Sequence, residues 1–159
     1  MPAPADYYTR KLRHVFAWVR AHHGHLVDAR LGGWMRRVEA LPEAARHLFV
    51  RLLLRRGPDF RLDRIAYPGV PDATRAGLAL ALGGHAALVT EPRRRIASLR
   101  VPELRDRLRS LGAGTGAGLR HGELVEALAA VLAARPEQLP AADLPPLLRL
   151  TVGEELDCL

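Results

Sequence analysis

A chain of 159 residues with a net charge of +7 has room for one domain or two very small ones, and its 48% hydrophobic content excludes a disordered polyelectrolyte. One cysteine, Cys158, excludes an internal disulfide framework and a Cys-based zinc cluster and suits a reducing compartment. No run of about 18 apolar residues exists to span a membrane, and the polar stretch Met1 to Arg13 lacks the apolar core of a signal peptide, so a cytoplasmic protein is expected.

In chain order, Tyr7 to Ala21 reads as an amphipathic helix, with Tyr8, Leu12, Val15, Phe16 and Val19 at spacings of three and four. His22-His23-Gly24-His25 ends it. A second helix falls around Trp34 to Ala40. Leu41-Pro42-Glu43 opens a third, with proline and an acidic residue in its first turn. Leu48, Phe49, Leu52 and Leu53 form its apolar stripe, and Gly57-Pro58 stops it. Phe60 to Tyr67 alternates apolar and polar residues like a short strand, followed by turns at Pro68-Gly69 and Pro71-Asp72. A fourth helix runs from about Ala73 to Leu82, and Ala87 to Thr90 returns as a short strand. Helices followed by a small β-hairpin predict a winged-helix-like domain over residues 1–95, in a mainly α chain.

Residues 96–134 read as a separate helical module. Leu99, Val101, Leu104, Leu108 and Leu111 make one helical face, closed by Gly112; Leu124, Val125, Leu128, Val131 and Leu132 make another. Two helices joined by a glycine-rich turn bury little core alone. Residues 135–159 read as a Pro-containing linker and then the beginning of an amphipathic helix from Leu147.

Lys11 is the sole lysine, and an arginine-dominated chain rich in Ala, Gly, Leu and Pro is what a GC-rich genome writes whatever the function. The distribution of charge says more. Residues 1–56 carry a net +7, residues 57–95 a net +2, and residues 96–159 a net −2. A field concentrated at one end is the footprint expected for a polyanion. Arg51, Arg55 and Arg56 lie at helical spacing, Arg61 and Arg64 lie in the strand beyond, and Tyr67 ends it. Arg51 and Arg55, four apart, project from one face. Few carboxylates stand nearby, which leaves two readings open: a phosphate-backbone grip or a solvated basic face.

Catalytic chemistry is poorly represented. Adjacent histidines at a helix end point apart, so His22, His23 and His25 read as a solvated cap and not as a metal site. The run Gly112 to Gly118 follows a helix and lacks the Gly-Lys-Ser/Thr tail of a phosphate loop. Neither serine, Ser98 or Ser110, has a His/Asp pair beside it. A Glu-x-Lys nuclease site cannot be assembled, because Thr9 stands two before Lys11.

The run Leu41 to Tyr67, with its core Val50-Arg-Leu-Leu-Leu-Arg-Arg-Gly-Pro-Asp-Phe-Arg-Leu-Asp-Arg-Ile-Ala-Tyr67, resembles the N-terminal region of the Fanconi-associated nuclease family; so does Tyr7-Tyr8 with Val15 and Val19. Leu99 to Gly112 together with Arg120-His-Gly-Glu-Leu-Val-Glu-Ala-Leu128 is similar to a SAP pattern, and Leu147 onward looks like the entry to a helical repeat region. The resemblance implies a winged-helix DNA-binding region and a SAP-like module, which in the family precede the repeats and a final VRR-NUC catalytic domain. It implies the N-terminal portion of a structure-specific, metal-dependent nuclease (a phosphodiesterase) acting on 5′ flaps and cross-linked DNA in repair. Arg51, Arg55, Arg56, Arg64 and Tyr67 match its phosphate-contacting positions; Arg61, and Arg120 in the SAP-like part, are added as DNA-binding candidates. His121 stands where a second basic residue is common.

No counterpart of the catalytic domain or its acidic metal ligands occurs in these residues. No catalytic residue, metal ligand or cofactor is therefore expected here, with Mg or Mn expected only alongside the missing domain. The expected partners are flap or branched DNA and a separately encoded nuclease half, with no membrane, in a nucleoid-associated setting. The alternative is a non-enzymatic interaction module or a decayed gene fragment without DNA binding.

Overall fold

The computed structural model of the chain describes Pro4 and residues 6–114, 116–135 and 143–151. Seven α-helices and three short strands follow in the order α1 (Tyr7–His23), α2 (Ala29–Ala40), α3 (Glu43–Leu53), β1 (Asp59–Arg61), α4 (Ala73–Leu82), β2 (Ala86–Leu88), α5 (Pro92–Ala97), α6 (Val101–Ser110), α7 (His121–Ala134) and β3 (Leu147–Leu150). Two single turns of 3₁₀-helix, Gly24–Leu26 and Leu62–Arg64, punctuate the first half. The expected mainly helical class holds, while the expected small β-hairpin is instead a three-stranded sheet in which β3 stands between β1 and β2. Among the described residues no helix is long and apolar enough to cross a membrane.

The chain divides into two compact units, residues 1–88 with 148–159, and residues 89–147. In the first, α1 turns Phe16 inward, with Leu12 and Val19 beside it, onto Met35 and Val38 of α2 and Leu48, Phe49 and Leu52 of α3. Val15, expected on that face, is 51% exposed instead, because at 100° per residue it lies toward the outer side of the helix. Asp28 caps α2 by accepting from the Leu31 N–H at 2.6 Å, and Asp72 caps α4 by accepting from the Arg75 N–H at 2.9 Å. Each cap satisfies one of the N–H groups that a helix start leaves without a partner.

The expected strand Phe60 to Tyr67 is cut short. β1 ends at Arg61, and Leu62–Arg64 turn as a 3₁₀-helix closed by the Ile65 N–H donating to the Leu62 carbonyl at 3.2 Å. Across this turn the Arg61 guanidinium donates to the Asp63 carboxylate at 3.0 and 2.6 Å. Arg64 therefore sits on a turn and not in a strand.

The sheet order is β1-β3-β2, so the middle strand comes from the far end of the described chain. β2 pairs antiparallel with β3, with Ala86 opposite Leu150 and Leu88 opposite Leu148. Leu147–Leu150 thus form a strand where an amphipathic helix was expected: Leu147 and Leu148 are both buried, and the Arg149 guanidinium holds Asp59 on β1 through two bonds of 2.6 and 2.8 Å. Residues 152–159, including Cys158, lie outside the described residues, as does linker segment 136–142.

The second unit runs from Val89, where the expected module started at residue 96, and its core includes Ile96 of α5. That core joins Leu99, Leu104, Leu108, Leu124, Val125, Leu128 and Leu144. α6 and α7 start alike: Glu103 accepts from the Arg100 N–H and Glu123 from the Arg120 N–H, each at 2.7 Å. Their joining loop passes through Gly116 at φ +59, where an added Cβ would meet Leu124 Cδ2 at 2.4 Å. Only glycine suits that position. Arg95 donates to the carbonyls of Leu144 and Pro145, fastening a segment expected to be linker.

Candidate nucleic-acid interface

α3 places its buried stripe on Leu48, Phe49 and Leu52, so Arg51, one position before Leu52, emerges at the margin of the core in the last helical turn. The helix then stops. The Arg55 N–H donates to the Leu52 carbonyl at 3.0 Å, and Arg55 and Arg56 leave on an exposed turn. Tyr67 reaches the same place from the other side. Pro68-Gly69 form a turn with Gly69 at φ +82 and the Val70 N–H donating to the Tyr67 carbonyl at 3.0 Å, and Val70 is buried as its anchor.

The arrangement that results is a set of cations on rings. The Arg51 guanidinium lies 4.9 Å from the centroid of Tyr67 and 5.0 Å from that of Tyr8, and the Arg55 guanidinium lies 5.1 Å from Tyr67. Arg51 Nε is buried without an acceptor among the described residues. A ring face attracts a guanidinium without neutralising it, so these side chains are held in place with their charge intact. No ion pair to a described residue involves Arg51, Arg55 or Arg56.

The other expected residues divide. Arg61 faces Asp63 through Nε–Oδ1 at 3.0 Å and Nη2–Oδ2 at 2.6 Å with its side chain only 11% exposed, so its charge is matched locally. Arg64 is exposed on the 3₁₀ turn. Arg120 belongs to the second unit, at the start of α7, with its side chain exposed. His121 Nε2 lies 2.9 Å from the Leu99 carbonyl oxygen and so serves the packing of that unit.

Tyr8 is the residue that sequence reasoning missed as a site member; it read as one more apolar position of α1. Its signals were its place in the Tyr7-Tyr8 pair of the family resemblance and its hydroxyl-bearing ring at the edge of the stripe. A second arginine group, also unanticipated, surrounds Glu39. Arg20 grips that carboxylate at 2.9 and 2.7 Å, which holds its pKa below the ordinary carboxyl value, with Arg13 and Arg46 adding to the effect. Burial, then repulsion from Arg13, lowers the pKa of Arg46, which donates to the Glu39 carbonyl at 2.6 Å. Among the described residues no three His, Cys, Asp or Glu side chains gather as a metal site. A divalent ion does not fit the groups present. The arrangement suits anion binding.

Residues 6–86, which include α1 to α4 and Arg51, Arg55 and Arg56, match the family model described as FAN1, HTH domain. The chain belongs to the Fanconi-associated nuclease family. It is 29% identical over 118 residues to a Fanconi-associated nuclease 1 homolog of Oryza sativa subsp. japonica, covering 69% of this chain and 12% of that protein. It is 36% identical over 85 residues to the homolog of Pseudomonas aeruginosa, covering 52% of this chain and 15% of the relative. Among solved structures, paFAN1 bound to 2nt 5′ flap DNA with a gap is similar with a TM-score of 0.71 and 25% identity, over 99% of this chain and 29% of that one. The same protein bound to 1nt 5′ flap DNA with a gap gives a TM-score of 0.63, again at 25% identity, over 98% of this chain and 29% of that one. The chain thus spans a small part of the length of these family members.

Proposed function

We propose that these residues are the DNA-binding N-terminal portion of a Fanconi-associated nuclease, and that they hold a branched or flapped duplex by its phosphates. The single observation that carries this is the ring-held cation cluster. Arg51, Arg55 and Arg56 have no carboxylate partner among the described residues, and Tyr67 with Tyr8 fixes the first two. Family membership and the flap DNA held by the similar paFAN1 structures support the reading. Guanidinium–phosphate contacts position a duplex without reading its bases. Binding then depends on structure and salt more than on sequence. Cleavage of the phosphodiester, and the Mg or Mn it needs, belongs to a catalytic part that these residues do not contribute, encoded with them or separately; the 159 residues lack the Glu-x-Lys arrangement.

The test is the affinity of the purified chain for a 5′-flap DNA and a matched blunt duplex across a salt series. The expected result is a flap preference with affinity falling as salt rises. Reversing Arg55 and Arg56 to glutamate weakens binding to both DNAs and flattens the log–log salt slope by about two, one for each lost phosphate contact. Equal affinity of the double variant and the parent at low salt refutes the grip.

A further inference from the structure

The arginine cluster leaves the outer face of α1 unused. Tyr7, Lys11, His14, Trp18 and His22 recur every three or four residues and so form one stripe, opposite the buried Phe16. The 17 residues of α1 include no carboxylate. The Lys11 ammonium lies 4.7 Å from the centroid of Tyr7, and a shallow depression beside it is lined by Tyr7, Lys11 and His14. Further along, Trp18 is 48% exposed. Its ring is stacked with His22 at 5.1 Å and 24°, and His22 Nδ1 donates to the Trp18 carbonyl at 3.0 Å. At its start the stripe touches the arginine cluster, since the Tyr7 and Tyr8 centroids are 5.2 Å apart and Tyr8 carries Arg51.

A half-buried Tyr7 and an exposed Trp18, with Lys11 and His14 between them along about 16 Å of helix, make the pattern of a stacking platform for unpaired bases. A membrane surface calls for a continuous apolar face, and here Lys11, His14 and His22 interrupt it. We propose that this stripe is a track for a single nucleic-acid strand, which leaves the duplex held at Arg51, Arg55 and Arg56 and stacks its bases on Tyr7 and Trp18. The inference rests on the phosphate-grip reading for where the duplex lies. The track itself is a separate surface.

The experiment compares the full chain with its Trp18→Ala and Trp18→Phe variants on three DNAs: a blunt duplex, the same duplex with a 5′ oligo(dT) flap, and free oligo(dT). Trp18→Ala is expected to weaken flap and oligo(dT) binding at least about fivefold, the low end for loss of one base–ring stack. Blunt-duplex affinity stays unchanged, and Trp18→Phe restores most of the loss. Unchanged flap and oligo(dT) binding, or an equal loss on all three DNAs, overturns the proposal. So does a shift of Trp18 emission with anionic phosphatidylglycerol vesicles but not with oligo(dT). The Arg55→Glu/Arg56→Glu variant run alongside separates the two readings. If it binds blunt duplex normally while Trp18→Ala still loses the flap, the grip fails and the track stands.

Discussion

At the scale of single residues, what distinguishes the arginines is what neutralises them. Arg61, Arg20 and Arg149 each face a carboxylate, whereas Arg51 and Arg55 face rings. A chain with 24 basic residues was bound to contain both kinds, and counting charges could not separate them. Asp63 illustrates why: two residues from Arg61 it reads as one more charge in an alternating strand, yet it pairs with that arginine through two bonds. Tyr67 carries the strongest prediction at this scale. Tyr67→Phe keeps the ring face and is expected to leave DNA affinity close to that of the parent. Tyr67→Ala frees Arg55 and leaves Arg51 on Tyr8 alone, and is expected to cost about 0.5–1 kcal/mol per lost ring contact, a several-fold loss in affinity by fluorescence anisotropy. An equal loss in the phenylalanine variant would show that the hydroxyl, and not the ring, matters.

At the scale of elements, helices were legible because their signals are local. α4 begins and ends as its capping aspartate and terminal glycines indicate, and α3 as its Pro-Glu start indicates. The strands were less so. Three-residue strands carry too little alternation to be delimited, and their pairing lies far away in the chain. Leu147–Leu150 has the composition of a helix and becomes a strand because β1 and β2 offer it hydrogen bonds on both sides. The Tyr67–Val70 turn shows an element acting on the site. With Gly69 at φ +82, Gly69→Ala forces a side chain into left-handed backbone, at about 1–2 kcal/mol. The expected outcome is a lower thermal midpoint together with weaker DNA binding, since Tyr67 is the first residue of that turn. A lower midpoint with unchanged binding would mean that the ring finds its place without the turn.

At the scale of the whole molecule, the chain leaves β2, builds a second unit, and comes back to complete the sheet through β3. The stems of this excursion meet, with the Val89 N–H donating to the Leu147 carbonyl at 2.8 Å and Leu88 opposite Leu148. Replacing residues 90–146 by Asn-Gly, a favoured two-residue hairpin turn, is therefore expected to leave the first unit folded, with its cooperative thermal transition retained. Loss of that transition would show that the first unit needs the second for stability. The same variant lacks Arg120, so its DNA affinity reports what the second unit adds.

The sequence by itself determined most of the helices and most of their buried stripes, the family, and the set of arginines from which a phosphate grip could be drawn. Each of these depends on neighbours within a turn or two, or on a pattern of residue types. Tertiary structure alone decided which arginines keep their charge, that Tyr8 joins Tyr67 around Arg51, and that a late segment supplies the central strand. Those outcomes turn on which groups come within about 6 Å in space, where a ring face and a carboxylate have opposite consequences for a guanidinium: one holds the charge, the other cancels it.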